Sequence, residues 1–214
     1  MLEILTCVVT PFMQNSRILF EPGSGTAVVV DPGGDVDQIL HELAKRQLRC
    51  EEIWLTHSHL DHCGGVRRLK EVTGARVLGH PGEAEFRSRV VDIAAMYGLP
   101  GSDLQNCPEP DTMLTGGETL TVGEATFEVL FTPGHSPGHL CFYNRSNRVL
   151  VAGDTLFQGS IGRTDLPGGD LDVLMASIKG VLLKLPLDTR VLPGHGPETA
   201  IGIEARSNPF LVAE

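Results

Sequence analysis

The sequence predicts a layered α/β domain, and three observations carry the prediction. Between Thr26 and Leu78 the apolar period runs strand, helix, strand, helix, strand, the alternation that stacks helices on a sheet. From Gly116-Gly117 onward the chain returns to short apolar runs split by glycine-containing turns. Its 214 residues, 41% of them hydrophobic, suffice for a large core, and 25 Gly with 14 Pro supply many tight turns. No repeat or linker marks a boundary, so residues 1–214 are expected to form a single domain.

Each element has its own warrant. Leu2 to Thr10 and the Val-rich Thr26 to Val30 read as strands, the second ended by Asp31-Pro32-Gly33-Gly34. Asp35 is placed to cap a helix reaching about Leu48, with Val36, Ile39, Leu40, Leu43 and Ala44 on one stripe and His41 as a partly exposed passenger. Glu52 to Leu55 is a strand, Cys63 to Thr73 a helix with Val66, Leu69 and Val72 three apart, and Ala75 to Leu78 a strand. His80, in Gly79-His80-Pro81-Gly82, reads as a turn residue. Glu83 to Tyr97 has helical spacing through Phe86, Val90, Ile93 and Met96, and Gly98 to Pro110 is a long loop of the kind that often carries function. Glu118 to Val122 and Ala125 to Phe131 form one expected hairpin; Leu140 to Tyr143 and Arg148 to Ala152 form another. Leu171 to Leu185 is a helix and Thr189 to Leu192 a last short strand.

Bulk properties exclude several classes. A net charge of −10 argues against an extended phosphate-binding surface, so no nucleic-acid partner is expected. Arg67, Arg68 and Lys70 fit the solvated face of a helix. No apolar stretch approaches the ~20 residues that span a bilayer, and the first residues lack signal-peptide features, so a cytoplasmic protein without a membrane partner is expected. Five cysteines, at 7, 50, 63, 107 and 141, are scattered and make no CxxC pair, which argues against a disulfide scaffold.

The chemistry concentrates in Thr56-His57-Ser58-His59-Leu60-Asp61-His62. If the preceding strand continues, its two-residue period puts His57, His59 and Asp61 on one side. His62 rejoins them only if a helix begins near Asp61. One strand end then offers ligand atoms in two directions, which suits two metal ions. A lone histidine is ordinarily just hydrogen-bonded or solvated, but packing gives no reason to line up three with an acid, and without a metal the cluster would bury poorly satisfied polar groups.

Three further polar residues sit on glycine-containing turns at strand ends: His135 in Thr132-Pro133-Gly134-His135, Asp154 after Gly153, and His195 in Pro193-Gly194-His195-Gly196. His139 starts the next strand and reads as a support for the cluster or as packing. Sorted by number, His57, His59 and His135 suit one ion, Asp61, His62 and His195 the other, and the Asp154 carboxylate is the natural bridge. Such sites suit zinc, with iron or manganese compatible.

This ordered set resembles the motifs of the metallo-β-lactamase superfamily, with Asp31 matching that superfamily's structural acid. The resemblance implies an αββα sandwich, two mixed β-sheets flanked by helices. Gly162-Arg163-Thr164-Asp165, Pro193-Gly194-His195-Gly196-Pro197 and Asn208-Pro209-Phe210-Leu211 are similar to short type II glyoxalases, the hydroxyacylglutathione hydrolases. That likeness implies a thioester such as S-D-lactoylglutathione as substrate, attacked by a metal-bridging hydroxide; Asp61 is the candidate for orienting the hydroxide and taking its proton, beside its metal contact. A thiolate leaves without a general acid, its conjugate acid having a pKa near ~8.5. The chain ends about twenty residues after His195, so the C-terminal glutathione-binding helical region of longer glyoxalases is expected to be absent.

Two residues are candidates for substrate contact. Arg163 could grip a carboxylate, or instead pair with Asp165 or Asp170; Phe157 could wall the pocket or belong to the core. Cys63 reads as a small buried residue at a helix start. The rival resemblance is to persulfide dioxygenases, which would hold one iron through His57, His135 and Asp154; β-lactamase, nuclease and purely structural metal roles rank lower.

Overall fold

The structure is a computed structural model that describes residues 2–99 and 103–212. The chain divides into two compact units, Met1–Leu114 with Thr121–Ala125, and Thr115–Leu120 with Thr126–Glu214.

The first unit carries a mixed sheet in the order β1 to β6: β1 (Glu3–Val9), β2 (Gln14–Phe20), β3 (Thr26–Val30), β4 (Arg49–Trp54), β5 (Arg76–Gly79) and β6 (Thr112–Met113). β1, β2 and β3 pair antiparallel, and β3 to β6 run parallel. Parallel steps need crossovers, and α1 (Val36–Lys45) and α3 (Val66–Thr73) supply the first two, from β3 to β4 and from β4 to β5. Val36, Ile39 and Leu43 of α1 and Val66 and Leu69 of α3 bury against Ile18, Ala27, Val29, Ile53 and Val77, alternate residues of one sheet face. Each such side chain contributes about 1.5–3 kcal/mol on burial.

β2 is an element the sequence reading lacked. All seven of its residues are buried, although Gln14, Asn15, Ser16 and Arg17 open it. Its polar start obscures the strand period, and hydrogen bonds offset the burial: Ser16 Oγ donates to Val30 O at 3.1 Å, and Arg17 Nη1 donates to Thr6 Oγ1. Other expectations shift at their ends. Asp35 stands at the N-cap position of α1 but in the left-handed region, φ 45°, and makes no cap bond; its carboxylate instead accepts Thr10 N at 2.7 Å. The helix expected from Cys63 splits at Gly64-Gly65 into α2 (Leu60–Cys63) and α3, and Val72 is exposed. The 83–97 segment forms α4 (Ala84–Ser88) and α5 (Val90–Met96), broken at Arg89, with Val90 buried and Met96 exposed. His41 is exposed on α1, and the His80 ring caps the 3-10 turn Pro81–Glu83 by accepting Gly82 N. Residues 100–102 of the expected loop lie outside the described residues; the rest is irregular.

The second sheet has the order β14-β13-β10-β9-β8-β7, from β7 (Thr119–Val122), β8 (Ala125–Phe131), β9 (Leu140–Asn144), β10 (Val149–Gly153), β13 (Arg190–Pro193) and β14 (Thr199–Ala200). It is also mixed, β10 running parallel to β13 and antiparallel to β9. A separate small hairpin joins β11 (Leu156–Phe157) to β12 (Ser160–Ile161). α6 (Leu171–Gly180), capped by the Asp170 carboxylate on Val173 N at 3.0 Å, packs Leu174 and Ile178 on Cys141, Tyr143, Leu150, Ala152 and Val191. It is shorter than expected, passing into a 3-10 turn at Leu182–Lys184. α7 (Ile201–Ser207) and α8 (Pro209–Val212) follow. All five cysteines are buried and free. Among the described residues no helix is long and apolar enough to cross a membrane.

Candidate metal centre

In the first unit the candidate ligand cluster is organised by Asp31, just past the end of β3. Its Oδ1 accepts Thr56 N at 2.8 Å and its Oδ2 accepts Thr56 Oγ1 at 2.6 Å. The contact draws the chain out of the sheet just after β4, which stops at Trp54. The strand does not continue into the motif: His57 and His59 lie on an irregular turn, their ring nitrogens still 3.1 Å apart, and Asp61 is on α2, the helix expected to begin near it. That helix carries His62 back, its ring 4.0 Å from the His57 ring. Gly33 permits the close approach, since a Cβ there would fall 1.5 Å from Asp61 O.

Hydrogen bonds fix the protons on two of these rings. Thr56 spends its hydroxyl hydrogen on Asp31, so at 3.0 Å it accepts from His57 Nδ1–H and leaves His57 Nε2 a lone pair. His62 Nδ1 lies 3.0 Å from Asp31 Oδ2 and donates to it, which makes His62 Nε2 a lone pair too. His57 Nε2 lies 3.1 Å from His59 Nδ1, a pair satisfied by a proton on His59 or by a shared cation. Asp61, half-buried, places Oδ2 4.0 Å from His62 Nε2. Buried Glu83 was not foreseen: its Oε2 accepts Ser58 N at 2.9 Å and pins the turn. A glutamate opening a helical segment carries no sequence signal for that role.

The second unit holds the other three predicted ligands. His135 is buried and its Nδ1 lies 2.7 Å from Arg163 O; a carbonyl only accepts, so Nδ1 bears the proton and Nε2 the lone pair. Asp154 Oδ2 stands 3.7 Å from His135 Nε2 and 3.5 Å from His195 Nε2. Gly194 N donates to Gly153 O at 2.8 Å, tying the turn of His195 to that of Asp154. Gly162 allows the packing, because a Cβ there would sit 1.9 Å from Asp154 O. His139, fully buried just before β9, accepts Asp154 N on its Nε2 at 3.0 Å.

The substrate candidates divide. Half-buried Phe157 sets its ring 6.4 Å from the His195 ring, at 82°. Exposed Arg163 forms a two-pronged pair with Asp165, 2.7 Å on both arms, while the Asp170 carboxylate caps α6. The Arg163 hydrogen bond holds the Asp165 carboxyl down at about 2. Burial, and next the neighbouring Cys107 thiol, push the Cys63 thiol well above its ordinary range, while Cys63 Sγ donates to Ser58 O at 3.3 Å.

The donor set fits divalent metals. Metal-bound imidazoles characteristically donate their far N–H to a carboxylate, carbonyl or comparable acceptor, and His57, His62 and His135 all do so through Thr56, Asp31 and Arg163 O. A carboxylate oxygen close to two imidazole nitrogens in the second unit adds a hard donor to nitrogen ligands, a mixture zinc and iron both accept.

Comparisons with known proteins agree. The family model for the Metallo-beta-lactamase superfamily matches residues 9–195. Hydroxyacylglutathione hydrolase GloC of Haemophilus influenzae is 38% identical over 205 residues, 95% of each chain. The crystal structure of BLEG-1 B3 metallo-beta-lactamase superposes with a TM-score of 0.90 at 39% identity, covering 99% of this chain and 100% of that one. The structure of TTHA1623 in a di-iron-bound form gives 0.87 at 40% identity, over 97% and 100%. Two mixed sheets flanked by helices are thus the metallo-β-lactamase fold.

Proposed function

The chain belongs to the metallo-beta-lactamase superfamily, and from that premise we propose that it is a two-metal hydrolase of thioesters, of the hydroxyacylglutathione type. His57, His59 and His135 would hold one cation and Asp61, His62 and His195 the other, with Asp154 shared; zinc is the metal we assign, in a cytoplasmic enzyme whose residues 1–214 act as one catalytic domain. The observation that carries the reading is the locked imidazole set, in which Asp31, Thr56 and the Arg163 carbonyl turn the Nε2 lone pairs of His62, His57 and His135 away from their anchors. The 38% identity to GloC over nearly the whole chain supports the thioester class.

Bound cations would supply a water acidified towards pKa ~7 and a Lewis acid for the carbonyl oxygen. The protein groups do the rest. Asp61 Oδ2 accepts the proton of the attacking water. Asp31 keeps His62 from rotating, and Glu83 keeps the Ser58 peptide in place. Phe157 offers an apolar wall beside His195, and Arg163 binds a substrate carboxylate only when the fork to Asp165 opens. The leaving thiolate needs no proton donor, its conjugate acid having a pKa of about 8.5.

Metal analysis of protein purified without added metal, beside an S-D-lactoylglutathione hydrolysis assay, tests the reading. Two metals per chain and hydrolysis abolished by chelation are expected. Oxygen uptake with glutathione persulfide by a one-iron sample would replace it with the dioxygenase reading, and nitrocefin turnover without thioester turnover with a β-lactamase.

A further inference from the structure

His139 is in neither ligand set, and its surroundings are unusually determined. The ring is fully buried. Its Nε2 faces the backbone N–H of Asp154 at 3.0 Å. An N–H can only donate, so Nε2 is a lone pair and the ring is neutral with its hydrogen on Nδ1. Nδ1 lies 3.1 Å from both Thr132 Oγ1 and Thr155 Oγ1, either of which can accept that hydrogen. Cys141 closes the ring of contacts, its Sγ 3.2 Å from Thr132 Oγ1 and 3.4 Å from Thr155 Oγ1 and donating to Ala152 O at 3.3 Å. Thr132 N in turn donates to His139 O at 2.9 Å. The imidazole thus bridges the end of β8, the start of β9 and the turn after β10.

That turn is a demanding one. Gly153 is left-handed, φ 49°, and the sheet register slips between Val151 and Gly153. Asp154 lies just past the last ladder pair, Gly153 with Pro193, and His139 is the acceptor its amide meets in place of a strand partner. We infer that His139 is a positioning residue: its single tautomer fixes the Asp154 main chain and so keeps Asp154 Oδ2 between His135 and His195. The inference rests on the two-metal reading, in which Asp154 is the shared carboxylate, and it predicts that His139 governs metal retention.

The test compares wild type, His139→Gln and His139→Leu in the metal-loaded protein, with zinc as the probe. Each is titrated against a chromophoric chelator, which reads the zinc count and both affinities. Gln keeps an acceptor where Nε2 lies; Leu keeps bulk alone. Expected is a tenfold to hundredfold weakening of one zinc site in His139→Leu, the range typical of lost outer partners of metal ligands, with most of it recovered in His139→Gln. Wild-type zinc binding in His139→Leu, or no recovery in His139→Gln, overturns the inference. Should His139→Leu not fold, the ring nitrogens of His139 in the zinc-loaded wild type decide by NMR: an Nδ1–H tautomer supports the inference and an Nε2–H tautomer overturns it. Absent thioester hydrolysis by a wild type that holds two zinc ions would refute the substrate class and leave this readout intact.

Discussion

Asp31→Asn isolates the part of the site that fixes proton positions. Asp31 sits at φ 51°, a left-handed conformation that Asn tolerates about as well as Asp, so the backbone is not strained by the exchange. The remaining carbonyl oxygen can still accept Thr56 N, now at 2.8 Å. An amide NH2 would take the place of Oδ2, which at present accepts Thr56 Oγ1 at 2.6 Å and faces His62 Nδ1 at 3.0 Å. The threonine hydroxyl can rotate and accept from that NH2. His62 cannot adapt so cheaply: its Nδ1–H meets another donor, and relief requires moving the proton to Nε2, the atom needed as a ligand. One hydrogen bond to a charged group is lost, about 1.5–3 kcal/mol. For a chain of this size each kcal/mol lowers Tm by about 2–4 °C, so a fall of about 3–12 °C is expected by calorimetry. Zinc affinity at the His62 site should drop by at least about tenfold in the same sample. A Tm within about 1 °C of wild type together with unchanged zinc affinity would refute the proton assignment.

Gly162→Ala would force a Cβ to 1.9 Å from Asp154 O and 3.2 Å from His135 Cβ; a loss at or above the ~1–3 kcal/mol typical of overpacking is expected, read as a lower urea midpoint. Native protein should show almost no reaction with Ellman's reagent near pH 8, since all five thiols are buried and burial pushes Cys50 up to about 12, while the denatured chain should titrate five; rapid native labelling would contradict the packing. Asp165 should titrate near 2 by carbon-detected NMR, chiefly because Arg163 hydrogen-bonds it, and Arg163→Ala should raise it towards the free value of about 3.9. Its folded pKa lies below the unfolded value, so the pair's stabilisation is present above about pH 4 and fades as pH falls through 2; an unshifted Asp165 would refute the fork.

The parts of this molecule legible in sequence are those whose cause is local. The strands β3, β4, β8, β9 and β10 and the stripe of α1 follow from apolar period, and each histidine or aspartate on a glycine turn announces itself within four residues. β2 did not, because Gln14 to Arg17 look solvated unless one knows that Val30 and Thr6 will meet their polar atoms across the sheet. Asp35 looked like a cap because its type and place are right, yet Thr10, 25 residues earlier, claims its carboxylate.

The same distinction runs through the site. That a side chain can serve as a ligand is a property of residue type, but which nitrogen carries the lone pair depends on partners remote in sequence: Asp31 is 25 residues from Thr56 and 31 from His62, and Arg163 is 28 from His135. Arg163 shows why such roles stay hidden. Its side chain suggested a substrate grip or an ion pair; the structure shows the ion pair with Asp165, which a substrate carboxylate would have to displace. Its contribution to the ligand cluster is the backbone carbonyl, which any residue type could supply and no motif can encode. What the motif does encode is the shape that lets the carbonyl arrive, since Gly162 alone among residue types permits the loop to pass Asp154 O without collision. The glycine is therefore a more informative letter of that motif than the arginine beside it.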